Sequence, residues 1–291
     1  MSQTHEVSVG EHVVTKRYRD WARGEHLREW NALRAISAAA PGLVPRPLEF
    51  LPGPAIAISR VPGVPLGGTL SAEQRDGLEV ALRELWSIPP GGLEPMELHA
   101  FVRRVRAAIS VRDGADHVGR GSAGVVDSDG GRIVSPASAG GLVGSGCAGV
   151  VGEAQVAALE WLAGSEVDEL VEVVEPVVGH GDANLANYLW DGRRVRIVDF
   201  EDAGRSDLAI ELANLIEHIA SRATDWTGFA ERFAVDVERL WTARCLFAIF
   251  WLTLLRPGGP SANRNPPGTA ELQARRVLAL IRRESVQMDM R

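Results

Sequence analysis

Residues 177–218 read VVGHGDANLANYLWDGRRVRIVDFEDAGRSDLAIELANLIEH. Two apolar-rich runs, Tyr188-Leu189-Trp190 and Val195 to Phe200, flank Asp191-Gly192, a tight-turn dipeptide that joins antiparallel strands. Folding that hairpin back gathers its open ends. Asn187 enters the first strand, Asp199 lies near the end of the second, and Asp182 sits in the loop just upstream. The oxygens of Asn187 and Asp199 can then share one hard cation, which leaves Asp182 to orient an attacking hydroxyl. Phosphoryl transfer asks a protein for such a set: divalent ions against the phosphate charge, an acceptor for the hydroxyl proton, and alignment. Magnesium prefers hard oxygens and keeps several waters, so two protein groups plus phosphate oxygens suffice.

Outward from this segment, the N-terminal part reads as strands around one helix. EVSV and HVVTKRY flank Gly10-Glu11 as a hairpin, and a helix over 22–40 stops before Pro41-Gly42, which cannot continue it. PRPLEFL and PAIAISRV follow as two more strands around Pro52-Gly53-Pro54. The run VPGVPLGG, Val61 to Gly68, reads as a linker because Pro and Gly punctuate it. Beyond it, helical patterns cover 71–86, 98–112, 155–162 and 166–173, then an extended stretch over 174–178. After Asp207 the chain is mostly helix, broken over 263–268. Gly, Ala and Ser dominate 114–152, which lacks the apolar periodicity of a packed element and reads as an insertion. Its Gly119 to Gly124 matches G-x-G-x-x-G, but no strand precedes it and no helix opens from it, so the match is one a glycine-rich tract produces by chance. The expected organisation is α+β and bilobal: a β-rich N-terminal lobe over 1–61, a hinge over 62–68 and a larger, mainly helical lobe over 69–291.

Composition narrows the function classes. The chain has 291 residues, 45% of them hydrophobic, enough to bury a core unaided. Two cysteines far apart, Cys147 and Cys245, suggest neither a disulfide framework nor a zinc site. The polar first residues contain no apolar run of signal-peptide type, and the longest apolar run, Leu246 to Leu255, is half of what a bilayer-spanning helix needs. A net charge of -7 argues against general nucleic-acid binding. These readings favour a cytoplasmic protein with neither nucleic acid nor membrane as partner. Of the 31 basic residues, Lys16 is the only lysine. Such arginine bias looks like coding pressure from a GC-rich genome. A single lysine within it invites a chemical reason, since an ammonium is a compact point charge that fits between phosphates and a carboxylate.

His180-Gly181-Asp182-Ala183-Asn184-Leu185-Ala186-Asn187, followed by Val198-Asp199-Phe200-Glu201 and Asp207-Leu208-Ala209, resembles the aminoglycoside phosphotransferase and choline kinase superfamily. The resemblance implies a protein-kinase-like fold, a nucleotide donor, ATP or GTP, and Mg2+. It makes Asp182 the catalytic base, Asn187 and Asp199 the metal ligands and His180 the brace of the loop. In the N-terminal lobe it pairs Lys16 with a helix glutamate: Glu29, which shares a face with Leu33 and Ile36, or Glu25 one turn earlier. The stretch from Ile58 through Ser59 to Val61 resembles the family's hinge, whose backbone holds the nucleobase. One departure stands out: 15 residues precede Lys16 and no glycine-rich loop lies among them, so the lobe reads as shortened.

The acceptor is a small molecule with a hydroxyl, and its pocket is expected in the helical lobe. Glu201, Asp202, Glu211 and Glu217 are candidate contacts for an amine-bearing antibiotic of aminoglycoside, nucleoside or basic peptide type. Trp190 and Trp226 are candidate stacking surfaces, whereas Trp241 and Trp251 lie in an apolar helix and read as core. Two alternatives stand beside antibiotic inactivation: a metabolic kinase of choline, a sugar or an amino-acid alcohol, and a nucleotide-binding regulator without turnover.

Overall fold

A computed structural model describes residues 5–19, 21–110 and 149–284. The N-terminal lobe comprises β1 (His5–Val9), β2 (Val13–Tyr18), α1 (Glu25–Ala39), β3 (Pro47–Leu51) and β4 (Ala55–Ser59). Its strands form one antiparallel sheet in the order β1-β2-β4-β3. Register places Val7, Lys16 and Ile56 opposite one another, so their side chains share a face. Ala32, Leu33 and Ile36 of α1 are buried in the common core. The helix ends where sequence demands it, ahead of Pro41-Gly42.

After β4 the chain does not run free. β5 (Val64–Pro65) pairs with β7 (Tyr188–Trp190), which pairs in turn with β8 (Val195–Ile197). The expected linker over 62–68 is thus partly a strand of the second lobe. Gly63 permits the approach: its φ is 134°, and a Cβ there would lie 2.9 Å from that of Leu189.

The second lobe continues through α2 (Ala72–Trp86), α3 (Leu98–Ser110), α4 (Val150–Leu162) and α5 (Glu166–Glu169). Then come β6 (Pro176–Gly179), β9 (Gly204–Asp207), which pairs with it, α6 (Leu208–Glu217), α7 (Val237–Leu255) and α8 (Thr269–Ile281). Local chemistry sets the starts. Ser71 and Gln74 form a reciprocal capping box on α2, while Asp207 and Asp236 cap α6 and α7 by accepting backbone N–H bonds at 3.0 and 2.7 Å. Asp207 also accepts from the backbone N–H groups of Val174 and Glu175 and from Arg239, so one fully buried carboxylate holds strand, helix start and arginine together. The helix expected over 166–173 closes after one turn as α5.

Leu246, Ile249 and Leu252 on α7 meet Leu212 and Ile216 of α6 and Val277 of α8 in the core. Burying each such side chain stabilises the lobe by roughly 1.5–3 kcal/mol. Among the described residues, no helix is long and apolar enough to cross a membrane. Of the glycine-rich tract over 114–152, residues 114–148, including Gly119 to Gly124, lie outside the described residues. The fold is thus mixed, a small antiparallel sheet lobe followed by a larger, mainly helical one, as the motifs imply.

Candidate active site

Lys16 points from β2 into the cleft between the lobes. Its Nζ donates to Glu29 Oε2 and to Asp199 Oδ1, each at 2.5 Å, so the lone lysine joins α1 to a motif 183 residues away. Tyr18, two residues on and therefore on the same face of the strand, donates its hydroxyl to the same Glu29 oxygen. Burial lowers the lysine pKa, but Glu29 and Asp199 more than reverse it, and the net shift is upward. Asp199 shows the complementary balance: burial raises its carboxyl, the Lys16 charge outweighs that, and it ends below the ordinary range. The ion pair is therefore charged on both sides at neutral pH. Glu25, the alternative helix carboxylate, pairs with Arg23 at 2.8 Å instead.

Across the cleft, the Asp182 loop is held from several directions. Gly181 has φ 82°, and a Cβ there would lie 2.3 Å from the Asp202 carbonyl oxygen, so only glycine fits. Asp182 N–H donates to His180 Nδ1 at 3.3 Å, which puts the ring proton on Nε2, and Nε2 donates to the Val198 carbonyl at 2.8 Å. The imidazole thus ties the Asp182 loop to the segment after β8 that carries Asp199. Asn187 Nδ2 donates to the Asp182 carbonyl and to Asp182 Oδ2 at 3.1 and 3.2 Å. Val198 N–H closes the circuit on the Asn187 carbonyl at 2.9 Å. The Asp182 side chain remains 42% exposed, open to a ligand.

The donor set suits a hard cation. Because Asn187 donates through Nδ2, its Oδ1 is left for a metal, and Asp199 engages Lys16 through one oxygen, which leaves the other. Ser59, at the expected hinge, exchanges hydrogen bonds with Arg46: its hydroxyl and its N–H bond the Arg46 N–H and carbonyl at 2.8 Å. Val61 follows half-buried at the lobe junction.

The four carboxylates expected to meet an acceptor separate into distinct environments. Asp202 is 51% exposed at the cleft, its carboxyl raised by burial and by Glu201 and Asp182. Glu201 accepts from His5 Nδ1 at 2.8 Å, and Arg28 Nε donates to its carbonyl. Glu211 lies beneath the loop, where it accepts the His180 N–H at 2.9 Å; burial raises its carboxyl. Glu217 is fully buried among Arg222, Arg244 and Arg276. Burial alone would raise its carboxyl, but the guanidinium groups outweigh it and hold it down at about 2. Glu211 and Glu217 are thus committed inside the lobe, contrary to the expectation that they face an acceptor. Of the four tryptophans named as candidates, Trp251 is buried, Trp226 and Trp241 donate to the carbonyls of Ser221 and Leu280, and Trp190 packs against Gly77.

Four site residues went unread in the sequence. Tyr18 had a signal, its two-residue spacing from Lys16. His5 and Asn214, whose Nδ2 holds the Gly181 carbonyl at 3.1 Å, had none. Neither had His218, which places Nε2 3.7 Å from Asp182 Oδ1 while its Nδ1 accepts from Ala220 N–H. Burial pushes that imidazole down to about 4, so it is neutral.

Residues 150–247, the segment that carries both motifs, match the family model described as the phosphotransferase enzyme family, APH. No curated protein matches the sequence. Among solved structures, the chain is similar to a choline/ethanolamine kinase family protein from Mesorhizobium loti, at 17% identity over 97% of this chain and 86% of that one, with a TM-score of 0.57. It is also similar to the choline kinase LicA from Streptococcus pneumoniae, at 10% identity, 97% and 91% coverage and a TM-score of 0.56. The GDP complex of aminoglycoside 2'-phosphotransferase-IIIa gives 13%, 97% and 89%, and 0.52.

Proposed function

We propose that this chain, a phosphotransferase whose acceptor is a hydroxyl, moves the terminal phosphate of ATP or GTP onto a small molecule that carries an amine. The carrying observation is the convergence of Lys16, Asp199, Asn187 and Asp182 on one cleft from both lobes. In this reading the nucleobase rests on the backbone from Ser59 to Val61, and Lys16 meets the phosphates. Mg2+, held by Asn187 and Asp199, supplies charge neutralisation on the transferring group. The acceptor hydroxyl docks against Asp182, whose carboxylate aligns it and takes its proton. A bond forms between acceptor oxygen and γ-phosphorus, the bond to the β–γ bridging oxygen breaks, and the nucleoside diphosphate leaves with that electron pair. Asp182 then returns the proton to solvent.

Asp202 supports the amine. It is the exposed carboxylate beside Asp182, and Glu201 stands behind it, so a cationic acceptor relieves crowded negative charge. An aminoglycoside or basic peptide antibiotic meets that description, which makes antibiotic inactivation in the cytoplasm the favoured role. Choline meets it too, and keeps a metabolic role as the second reading.

The test is nucleotide consumption with Mg2+, ATP and GTP run separately, against aminoglycoside, nucleoside and peptide antibiotics, choline and neutral sugars. Amine-bearing acceptors should stimulate consumption, and Asp182→Ala should abolish the stimulation. Protection of a sensitive cell by expression separates the antibiotic role from the metabolic one. Nucleotide binding without transfer to any acceptor, in wild type and in Asp182→Asn alike, would instead identify a regulator.

A further inference from the structure

We propose that His5, Asp199 and Glu201 form a second divalent-cation site, one that takes a borderline ion such as Co2+, Mn2+ or Zn2+ in preference to Mg2+. One ligand atom from each residue lies within 4.8 Å of those of the other two. First-row metal bonds of about 2.0–2.2 Å place neighbouring ligand atoms roughly 3–4 Å apart, so small side-chain rotations close the triangle. All three side chains are largely withdrawn from solvent, at 13%, 26% and 11% exposure, which distinguishes them from a solvated surface cluster.

Charge argues the same way. Asp182, Asp199, Glu201 and Asp202 crowd one wall of the cleft, while Lys16, which pairs with Asp199, is shared with Glu29, and Arg28 stands 4.0 Å from Asp202. Chemistry sets the identity of the ion: an imidazole nitrogen beside two carboxylates suits Mn2+, Co2+ or Zn2+, whereas Mg2+ wants oxygen alone. Support behind the ligands is also present, since Arg28 Nε holds the Glu201 carbonyl at 2.9 Å and Lys16 anchors Asp199.

Placement gives the site its consequence. His5 belongs to β1 of the N-terminal lobe, and the two carboxylates follow β8 of the helical lobe, so the ion fastens the lobes together. Asp199 is also the residue that would hold Mg2+ with Asn187, so the two sites would have one ligand in common. The inference shares Asp199 with the proposed reaction, but its test reads ion binding without nucleotide or acceptor and so can fail independently of that reading.

The experiment is a Co2+ titration of the full chain without nucleotide, followed by calorimetry and by thermal melting. Wild type should bind with a rise in melting temperature, and a tenfold excess of Mg2+ should leave that binding in place. His5→Ala and Glu201→Gln should each weaken binding by about 10–100-fold, whereas Asn187→Ala should leave it unchanged. His5→Gln, which retains a hydrogen-bonding side chain but no imidazole, should behave like His5→Ala and guards against a folding defect. With Mn2+ as probe, nitrogen hyperfine coupling should appear in wild type and vanish in His5→Gln. Wild-type affinity in His5→Gln, or Mg2+ displacing Co2+ at equal concentration, would overturn the proposal.

Discussion

Glu217→Gln should destabilise the protein by about 3 kcal/mol at neutral pH and leave phosphate transfer untouched. The carboxylate is fully buried, accepts from Arg244 Nε and Arg276 Nη2 at 2.8 Å, and receives Arg222 on its second oxygen. Folding lowers its pKa from 4.5 to about 2, and each unit is worth about 1.4 kcal/mol. Gln keeps the size and loses the charge, which leaves Arg222, already pushed down to about 10 chiefly by burial, as an uncompensated cation. Urea unfolding at pH 7 should show the lower midpoint with an unchanged slope. Because the pKa is depressed, the contribution is complete above the unfolded value of 4.5 and disappears as pH falls through about 2. Wild type and variant should therefore converge in acid. A loss under about 0.5 kcal/mol, or a raised acceptor KM with stability unchanged, would return Glu217 to the acceptor pocket and refute the burial argument.

Asp182→Ala should lower acceptor-dependent turnover by about 10²–10⁴-fold while circular dichroism stays native; near-normal turnover removes it as the base. Lys16→Arg should lower kcat by about 10²-fold, since a planar guanidinium cannot occupy the space between Glu29, Tyr18 and Asp199, and single-turnover kinetics will read it. Gly181→Ala should destabilise the loop by about 1–3 kcal/mol or more, because its Cβ meets the Asp202 carbonyl, and hydrogen exchange at Ala183 will report it. His218→Phe keeps the edge contact with Trp251 and removes the N–H facing Asp182; kcat should fall about tenfold with acceptor KM unchanged, whereas a shift in KM alone assigns His218 to acceptor binding.

The chemistry over 180–201 was legible because it is local. A tight-turn hairpin folds a short stretch onto itself, so Asp182, Asn187 and Asp199 converge whatever the distant packing does. Lys16 and Glu29 were legible for a related reason, one strand and the next helix lying only 13 residues apart. Glu217 was not. Its three arginines come from the loop after α6, from α7 and from α8, and nothing near Glu217 in sequence tells a buried acid from a solvated one. His5 reaches Glu201 across 196 residues, a pairing that exists only once the lobes have met. The hinge was read as punctuation by Pro and Gly, whereas strand pairing with β7 decides its structure.

The burial of Lys16 also makes the protein unusual toward amine chemistry. Arginines carry the remaining basic charge, and guanidinium groups do not acylate under mild conditions, so the outer surface of the folded protein presents no lysine to an acylating reagent. An activated ester, an acyl phosphate or an aldehyde would reach a side-chain amine only where the grip of Glu29 and Asp199 on Lys16 has loosened. The rate of acylation at that one residue is therefore a clock for cleft opening, written into the covalent chemistry of the chain and readable by mass without any added label.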